Sequence, residues 1–195
     1  MYTYFKRFLD FSIATIILII LSPLLLIASV LIRINMGKPI LFRQMRPGKN
    51  EKIFTVYKFR TMRDNHDKNG KLLPDAERLT QLGKFIRTTS IDELPQFINV
   101  LMGDMSVVGP RPHMLKHTEE YAQVINKFMV RHFVKPGITG WAQVTGYRGE
   151  TKELWQMEGR VSRDIWYIEH WTFMLDLYII YKTVYNAIHG EKEAY

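Results

Sequence analysis

Two adjacent carboxylates, Asp92 and Glu93, are the residues in this sequence whose types and spacing could do chemistry. One of two neighbouring carboxylates can attack an electrophile while the other holds a cation that neutralises the target. The same stretch could instead begin a helix, with Ser90 and Glu93 forming a capping box, or with Asp92 as the N-cap ahead of Pro95 in the first turn. Both roles are compatible, because a helix N-terminus lowers the pKa of a nearby carboxylate and keeps a nucleophile ionised.

Basic side chains and glycines elsewhere in the sequence predict an anionic target. Arg111 lies between two prolines, which fix the backbone on both sides and leave the guanidinium little entropy to lose on binding. Lys58 and Arg60 fall on one face of a predicted strand, where they could both point at an anion or could line a solvated edge. The glycine-rich segment from Lys135 to Gly146 could cradle phosphate with its backbone N–H groups, or could be an ordinary Ω-loop. It is not a Walker loop, because no Gly-Lys-Ser/Thr follows.

The elements that must position these groups are mainly helical, with one β-hairpin. Strand-like runs from Pro39 to Gln44 and from Lys52 to Arg60 flank the turn residues Arg46 to Asn50. The helix that carries the two carboxylates is predicted to run to about Leu101. Its core-facing residues at helical spacing are Leu94, Phe97, Ile98 and Leu101. Further helices are predicted after Pro74 as far as Arg87, from Pro112 to Lys127, from Thr151 to His170 and from Trp171 to His189. Together these elements predict an α+β, mainly helical fold.

The N-terminal segment is apolar enough to enter a bilayer. From Phe11 to Ile32 there are 22 residues without a charge, which is long enough to span a membrane as a helix. Ser22-Pro23 lies in the middle of this run, and both flanks are basic, which assigns both ends to the cytoplasm. A helix–break–helix that enters one leaflet and returns fits better than a kinked single span, with the Ser22 hydroxyl meeting the carbonyl freed near residue 19. We therefore expect residues 1–36 to be a re-entrant membrane helix and residues 37–195 to be a compact cytosolic domain.

The charge distribution also indicates a membrane surface. The 195 residues carry a net charge of +8 and no cysteine, which excludes disulfides and thiolate metal sites. Residues 1–60 carry ten Lys or Arg and two Asp or Glu, whereas residues 61–195 carry seventeen of each. Positive charge around an apolar run is typical of a protein held against anionic lipid, whereas a nucleic-acid binder would carry it along a soluble face. The aromatic residues between Trp155 and His189 could likewise form interfacial amphipathic helices, or could form a helical core.

A series of short motifs runs through nearly the whole chain. They are Lys6–Asp10 before the apolar run with Ser22-Pro23, Arg46-Pro47-Gly48, Tyr57–Met62, Arg87–Gln96, Gly103–Ser106, Val108–Pro112 and Lys135–Gly140. In this order they resemble the bacterial sugar transferases, the monotopic polyprenyl-phosphate sugar-1-phosphate transferases. Trp141 and the region Arg148-Gly149-Glu150 resemble the branch that uses UDP-glucose or UDP-galactose. Longer relatives carry further transmembrane helices and another module at the N-terminus, so we expect either a short natural form or a catalytic portion.

The resemblance implies a two-step exchange with Asp92 and Glu93 as the catalytic pair. Asp92 would attack the β-phosphorus of a UDP-sugar, expel UMP and hold the sugar phosphate as an acyl phosphate. Undecaprenyl phosphate would then attack this intermediate and free Asp92. Glu93 would hold Mg²⁺ against the diphosphate, which agrees with the preference of Mg²⁺ for one or two carboxylates plus substrate phosphates. The candidates for binding phosphate or the nucleotide are Lys58, Arg87, Arg111 and Arg148. Such cations are expected because phosphoryl transfer is mostly positioning and charge neutralisation.

The implied setting is the inner membrane of a bacterium, with the catalytic domain on the cytoplasmic face. The partners would be membrane lipid, undecaprenyl phosphate and a UDP-sugar, with UDP-glucose or UDP-galactose favoured and no nucleic acid. A homodimer is a further expectation. The reaction would be the first membrane step of exopolysaccharide, capsule or O-antigen assembly. The alternative is a non-catalytic membrane-anchored scaffold of a glycan assembly complex.

Overall fold

A single long helix begins the fold. The structure, a computed structural model, describes residues 4–66, 69–149, 151 and 153–189, with the backbone alone for Lys116 and His117. Helix α1, Tyr4–Met36, has 33 residues and is the one helix among those described that is long and apolar enough to cross a membrane. The predicted break at Ser22-Pro23 is absent, because α1 continues through Pro23. The predicted contact beside it is confirmed: the Ser22 hydroxyl donates at 2.8 Å to the Ile19 carbonyl, which Pro23 leaves without a helical partner.

One stripe of α1 packs on the rest of the fold and the remainder is exposed. Ala14 lies in the largest apolar cluster, and Ala28 and Ile32 lie in a second one. Between these contacts Ile19 and Ile20 are 68% and 67% exposed. The middle of α1 therefore presents an apolar surface of the kind that lipid can cover.

The predicted β-hairpin is confirmed, with its strand boundaries shifted by a few residues. Strand β1, Leu41–Pro47, pairs antiparallel with β2, Ile53–Phe59, and a short 3₁₀ turn, Lys49–Glu51, lies between them. The core-facing residues of β2 include Phe54 and Val56. Lys58 follows Val56 on the same face of the strand, because side chains alternate along it. This register points Lys58 toward the segment that carries the two carboxylates.

Three short helices lie along the chain on either side of the two carboxylates. Helices α2, Asp75–Arg78, and α3, Gln81–Thr88, replace the one helix predicted in this region. Thr80 separates them, and its hydroxyl caps α3. A 3₁₀ turn, Ile91–Glu93, holds the carboxylates, and α4, Gln96–Met102, follows it.

Both predicted helix caps at the carboxylates are wrong. Ser90 adopts left-handed backbone geometry, with φ 57° and ψ 17°, and its side chain makes no capping hydrogen bond. Its hydroxyl instead accepts a hydrogen bond from Arg148 at 2.8 Å. The N-cap of α4 is Pro95, not Asp92. The residues ahead of Pro95 form a 3₁₀ turn, in which the Leu94 N–H donates to the Ile91 carbonyl, so α-helical hydrogen bonding begins only after this turn.

Two short parallel strands follow α4. They are β3, Ser106–Val108, and β4, Gly137–Thr139. The chains approach so closely that a Cβ on Gly137 would lie 2.1 Å from the Gly109 nitrogen, and one on Gly140 would lie 2.3 Å from the Gly109 oxygen. Only glycine leaves room for this approach. The glycines of the Lys135–Gly140 segment therefore serve close backbone packing beside the Arg111 turn.

The remaining helices complete the core. They are α5, Leu115–Val124, α6, Trp141–Val144, α7, Leu154–Glu169, and α8, Phe173–His189, with a 3₁₀ segment, Phe128–Phe133, after α5. The main apolar cluster draws on α1, β2, α4, β3, α6, α7 and α8, which confirms an α+β, mainly helical architecture. Helix α8 buries Ile179 in this cluster and exposes its opposite face. The exposed apolar residues of α8 are Met174, Leu177, Tyr178, Tyr181, Val184, Tyr185 and Ile188. The C-terminal helices are thus partly core, and the membrane contact of their outer face stays a prediction.

Polar contacts attach both ends of α1 to the rest of the fold. Near its start, Arg7 donates to two carbonyls at the end of α4, and Asp10 accepts a hydrogen bond from the backbone N–H of Val107 in β3 at 2.9 Å. Just past its end, the Arg60 guanidinium donates to the Lys38 carbonyl at 2.8 Å. Arg60 also pairs with the Asp64 carboxylate at 2.8 Å, so its guanidinium is engaged within the chain near the end of α1.

Substitution Gly83→Ala should destabilise the packing of α3. A Cβ at this position would lie 1.9 Å from the Thr61 carbonyl oxygen, so the backbone must shift. We expect the free energy of unfolding to fall by about 2 kcal/mol, the usual cost of overpacking, although alanine favours helix more than glycine does. Thermal unfolding in detergent, followed by tryptophan fluorescence, measures the change. Lys84→Ala, at an exposed neighbouring position, is the matched control. Equal melting temperatures for the two variants would contradict this contact.

Candidate active site

The carboxylates of Asp92 and Glu93 lie where several segments of the chain meet. The 3₁₀ turn that carries them packs against β2 and α3. The turn Gly109–Pro112, which follows β3, reaches Glu93 through the Arg111 side chain. The predicted cations come from four segments: Lys58 from β2, Arg87 from α3, Arg111 from the turn after β3 and Arg148 from the loop after α6.

Glu93 is held by two cations. Its Oε1 accepts a hydrogen bond from Lys58 Nζ at 2.7 Å, and its two oxygens accept from the Arg111 guanidinium at 2.5 and 3.0 Å. Burial by itself would raise the pKa of Glu93, but the charges and hydrogen bonds of Arg111 and Lys58 outweigh burial and hold this pKa well below its usual range. Glu93 is therefore ionised at any physiological pH and fixes both cations in place.

Asp92 has the opposite electrostatic setting. Among the described residues its half-buried carboxylate has no hydrogen-bond partner. Burial raises the pKa of Asp92 to about 6, and the charge of Glu93 adds to the rise, while nearby cations act against it. The expected lowering by a helix N-terminus is wrong, because Asp92 lies ahead of α4 in a partly buried turn beside a second carboxylate. At neutral pH Asp92 is mostly ionised, and its lone pairs are open to an electrophile.

Backbone hydrogen bonds fix the turn that carries Arg111. The N–H of Gly137 donates to the Pro110 carbonyl, and the N–H of Gly109 donates back to β4, each at 2.9 Å. Arg131 Nη2 adds a third bond, to the Arg111 carbonyl at 2.9 Å. The N–H of Gly137 is thus committed to the turn, and the interpretation of this part of the glycine-rich segment as a phosphate cradle is wrong.

Arg87 and Arg148 reach the carboxylate turn from other elements. Arg87, in the last turn of α3, donates from Nε to Thr61 Oγ1 at 2.9 Å, and its charge acts on Asp92. Arg148 donates to Ser90 Oγ at 2.8 Å, two residues before Asp92. The structure therefore brings all four predicted basic residues to this turn, two in contact with a carboxylate and two beside them.

Two further basic residues belong to the site and were missed by sequence reasoning. Burial, followed by the charge of Arg111, lowers the pKa of Arg46 to about 10. Arg46 is still protonated at neutral pH, and it adds positive charge to the site from the end of β1. Its available signal is the Arg46-Pro47-Gly48 motif, which we interpret from the sequence as a turn and as part of the family resemblance. Arg131 is 2% exposed and holds the Arg111 backbone. No pattern in the sequence could place it there, because the contact is tertiary.

The contacts of Glu93 do not favour a metal ion on its carboxylate. Both oxygens of Glu93 already accept hydrogen bonds from Arg111, and one also accepts from Lys58, so a divalent cation there would lie against two positive charges. The open carboxylate is that of Asp92. The role of Glu93 as a Mg²⁺ ligand stays a prediction, which these contacts do not support.

The arrangement can bind and transfer a phosphoryl group. The basic residues around the two carboxylates are Arg46, Lys58, Arg87 and Arg111. Together they carry four positive charges, against two negative charges on the carboxylates. An anion with two charges would therefore be neutralised here. Fixed cations around a phosphorus atom supply much of the catalysis in phosphoryl transfer, and a carboxylate such as Asp92 can serve as the nucleophile.

Comparison with known proteins identifies related sequences over nearly the whole chain. The family described as bacterial sugar transferase matches residues 1–190. A UDP-glucose:undecaprenyl-phosphate glucose-1-phosphate transferase of Klebsiella pneumoniae is 48% identical over 185 residues, 94% of this chain and 40% of that protein. The Uncharacterized sugar transferase EpsL of Bacillus subtilis is 45% identical over 186 residues, 95% of this chain and 88% of that protein. A UDP-N-acetylgalactosamine-undecaprenyl-phosphate N-acetylgalactosaminephosphotransferase of Aeromonas hydrophila is 40% identical over 192 residues, 97% of this chain and 45% of that protein.

The matched region contains every segment that forms the site. It runs from α1 through β2, the carboxylate turn and the Arg111 turn to the loop that carries Arg148. The chain spans about 40% of the length of the Klebsiella relative, so the likeness concerns the part that the two proteins share. From the family match over residues 1–190 and the identity to these relatives, the chain belongs to the bacterial sugar transferase family.

Proposed function

We propose that this chain transfers a sugar-1-phosphate from a UDP-sugar to undecaprenyl phosphate and releases UMP. The observation that carries the proposal is the open carboxylate of Asp92 beside Glu93, which is itself ion-paired to Lys58 and Arg111. A nucleophile surrounded by fixed cations suits attack on a diphosphate. The names of the Klebsiella and Aeromonas relatives contain undecaprenyl phosphate together with a UDP-sugar, which supports this choice of substrates.

The transfer proceeds in two displacements at one phosphorus atom. A carboxylate oxygen of Asp92 attacks the β-phosphorus of the UDP-sugar, and UMP leaves with the oxygen that bridged the two phosphorus atoms. A phosphate oxygen of undecaprenyl phosphate then attacks the same phosphorus, and the bond to Asp92 breaks. The products are undecaprenyl-diphosphate sugar and the free carboxylate. Atoms and charge balance in both steps without a proton transfer.

The basic residues position the reacting groups. Glu93 orients Lys58 and Arg111 before substrate arrives, so little freedom is lost when these cations meet the diphosphate. Arg87 lies near Asp92 and lowers the charge repulsion between the nucleophile and the phosphate. Arg148, tied to Ser90 at the same turn, is the fourth candidate for contact with the substrate.

The proposed setting is the cytoplasmic surface of the inner membrane. Polar contacts attach both ends of α1 to one body, through Arg7 and Asp10 at one end and Arg60 at the other. A helix that crosses the bilayer has its ends on opposite faces, so these contacts support an α1 that bends at Pro23 without a break in the helix, with its exposed middle in one leaflet. A lipid-linked phosphate can then reach Asp92 at headgroup height without leaving the membrane.

The favoured sugar is a hexose, from UDP-glucose or UDP-galactose. The Klebsiella relative is named for glucose and the Aeromonas relative for N-acetylgalactosamine. A lipid-linked sugar of this kind serves as the first unit on which exopolysaccharide, capsule or O-antigen chains are assembled. The homodimer stays a prediction.

Asp92→Asn should abolish transfer, because an amide cannot replace the carboxylate nucleophile. We expect UMP release to fall by at least about a thousandfold. Incubation of the wild-type protein with UDP-glucose or UDP-galactose and no lipid acceptor should add the mass of a sugar phosphate at Asp92. Intact-protein and peptide mass spectrometry measure the adduct. Asp75→Asn, at an exposed position, is the control and should behave as wild type. Native turnover by Asp92→Asn would overturn the mechanism.

The first displacement should depend on the ionisation of Asp92. Because burial and Glu93 raise its pKa to about 6, the rate of UMP release should be full above about pH 7 and should fall as pH drops through about 6. Single-turnover release without lipid isolates this step, since the acceptor phosphate then does not titrate. Arg87→Gln removes a charge that lowers this pKa, so its midpoint should lie at higher pH than that of wild type. A wild-type midpoint near the ordinary aspartate value of about 4 would contradict the electrostatic setting described here.

The response of Glu93→Gln to Mg²⁺ separates two roles for this residue. If Glu93 positions Lys58 and Arg111, the variant should lose about tenfold to a hundredfold in kcat/KM at every Mg²⁺ concentration, with unchanged half-saturation by Mg²⁺. A metal ligand would instead need more Mg²⁺ for half-saturation. The Mg²⁺ requirement itself stays a prediction, and loss of wild-type turnover in EDTA tests it.

A further inference from the structure

A buried ion pair lies directly behind the Arg111 turn. Arg131 comes from the 3₁₀ segment after α5 and Asp164 from α7, and each side chain is 2% exposed. Arg131 Nη2 donates to Asp164 Oδ2 at 2.5 Å and also to the Arg111 carbonyl at 2.9 Å. Arg131 Nη2 thus connects helix α7 to the backbone of Arg111, the residue that is ion-paired with Glu93.

A contribution to the stability of the fold does not by itself explain why a charged pair is buried here. Burial raises the pKa of Asp164 and lowers that of Arg131, and each partner's charge opposes the effect on the other. Desolvation of two charges offsets most of their attraction, so apolar residues of similar volume often serve a core equally well. Arg131 Nη1 is also buried without a hydrogen-bond partner among the described residues. An apolar pair would avoid these costs, but it could not donate to the Arg111 carbonyl.

The Arg111 turn has space to move if that bond is lost. A cavity of about 10 Å³, roughly the size of one water molecule, lies against the turn. Pro110, Arg111 and Pro112 line one side of it, and Arg131 and His132 line another. Strand β4 ties the turn only as far as Pro110. Among the described residues, Arg131 is the one side chain that donates to the Arg111 carbonyl.

We propose that Arg131 and Asp164 are positioning residues for the transfer reaction and act through Arg111. Asp164 orients the Arg131 guanidinium, Arg131 fixes the Arg111 carbonyl, and the fixed backbone aims the Arg111 guanidinium at Glu93 and at the substrate diphosphate. The inference rests on the proposed function, because the pair affects turnover only if Arg111 contacts the substrate. A small displacement of such a group can cost up to about a hundredfold in rate.

A double-mutant cycle tests the path through Arg111. The double replacement Arg131→Met with Asp164→Leu keeps apolar volume and removes the donor. We expect it to lower kcat/KM for UMP release by about tenfold to a hundredfold in the wild-type background, and by less than about twofold in the Arg111→Ala background. Should this variant fail to fold, Arg131→Lys enters the same cycle, since it keeps a charge opposite Asp164 but loses the planar fork.

A second buried ion pair supplies the matched control. Lys6 and Asp176 pair between α1 and α8, with side chains 8% and 11% exposed. Replacement of this pair by Met and Leu should combine additively with Arg111→Ala, because, among the described residues, the other hydrogen bonds of Asp176 come from Tyr167 and Trp171 and not from the Arg111 backbone. Additive losses for the Arg131–Asp164 replacement as well would show general support of the fold and would overturn the proposal.

A readout without turnover separates this inference from the proposed function. The side-chain Nε–H signal of Arg111 in nitrogen-15 NMR, assigned by its loss in Arg111→Lys, reports the environment of the guanidinium that pairs with Glu93 through Nη1 and Nη2. We expect this signal to shift or broaden in the Arg131–Asp164 variant and to stay unchanged in the Lys6–Asp176 variant. An unchanged signal in the former would overturn the positioning role. Absence of UMP release by the wild-type protein, with the signal shift present, would count against the proposed function alone.

Discussion

The ion pair between Arg111 and Glu93 is the interaction on which the rest of the site depends. It gives two adjacent carboxylates opposite properties, because the forked guanidinium and Lys58 satisfy Glu93 and leave Asp92 open. One carboxylate becomes a permanently charged anchor, and the other becomes a group with raised pKa beside fixed cations. Two carboxylates that would otherwise repel one another therefore differ in role: Glu93 holds the cations and Asp92 stays available.

Strand β3 connects this ion pair to the long apolar helix α1. Its Val107 N–H binds the Asp10 carboxylate of α1, and the chain enters the Arg111 turn two residues later. Strand β4 holds the other side of that turn through backbone hydrogen bonds that glycine makes possible. One short strand therefore contacts α1 and leads directly into the Arg111 turn, which suits the lipid-linked substrate that we propose.

Sequence reasoning succeeded where the signal was local and failed where packing decided. The hairpin, the long apolar helix and the bond from Ser22 to the Ile19 carbonyl followed from residue type and spacing. The caps at Ser90 and Asp92 did not form, because Ser90 takes left-handed geometry and binds Arg148, a partner 58 residues away. The raised pKa of Asp92 was missed for a similar reason, since it depends on burial that only the assembled fold creates. The motifs placed the basic residues of the site, but they could not reveal the Arg131–Asp164 pair behind them.

The desolvated acid at position 92 has an evolutionary consequence. A carboxyl group that binds its proton more tightly in the folded chain than in the unfolded one opposes folding at neutral pH. An uncharged side chain in the same place would remove that opposition, so an aspartate here lowers conformational stability. Where selection for catalysis is lost, substitutions that remove this carboxylate would increase the stability of the fold. Inactive descendants that keep the same architecture would then be expected to arise.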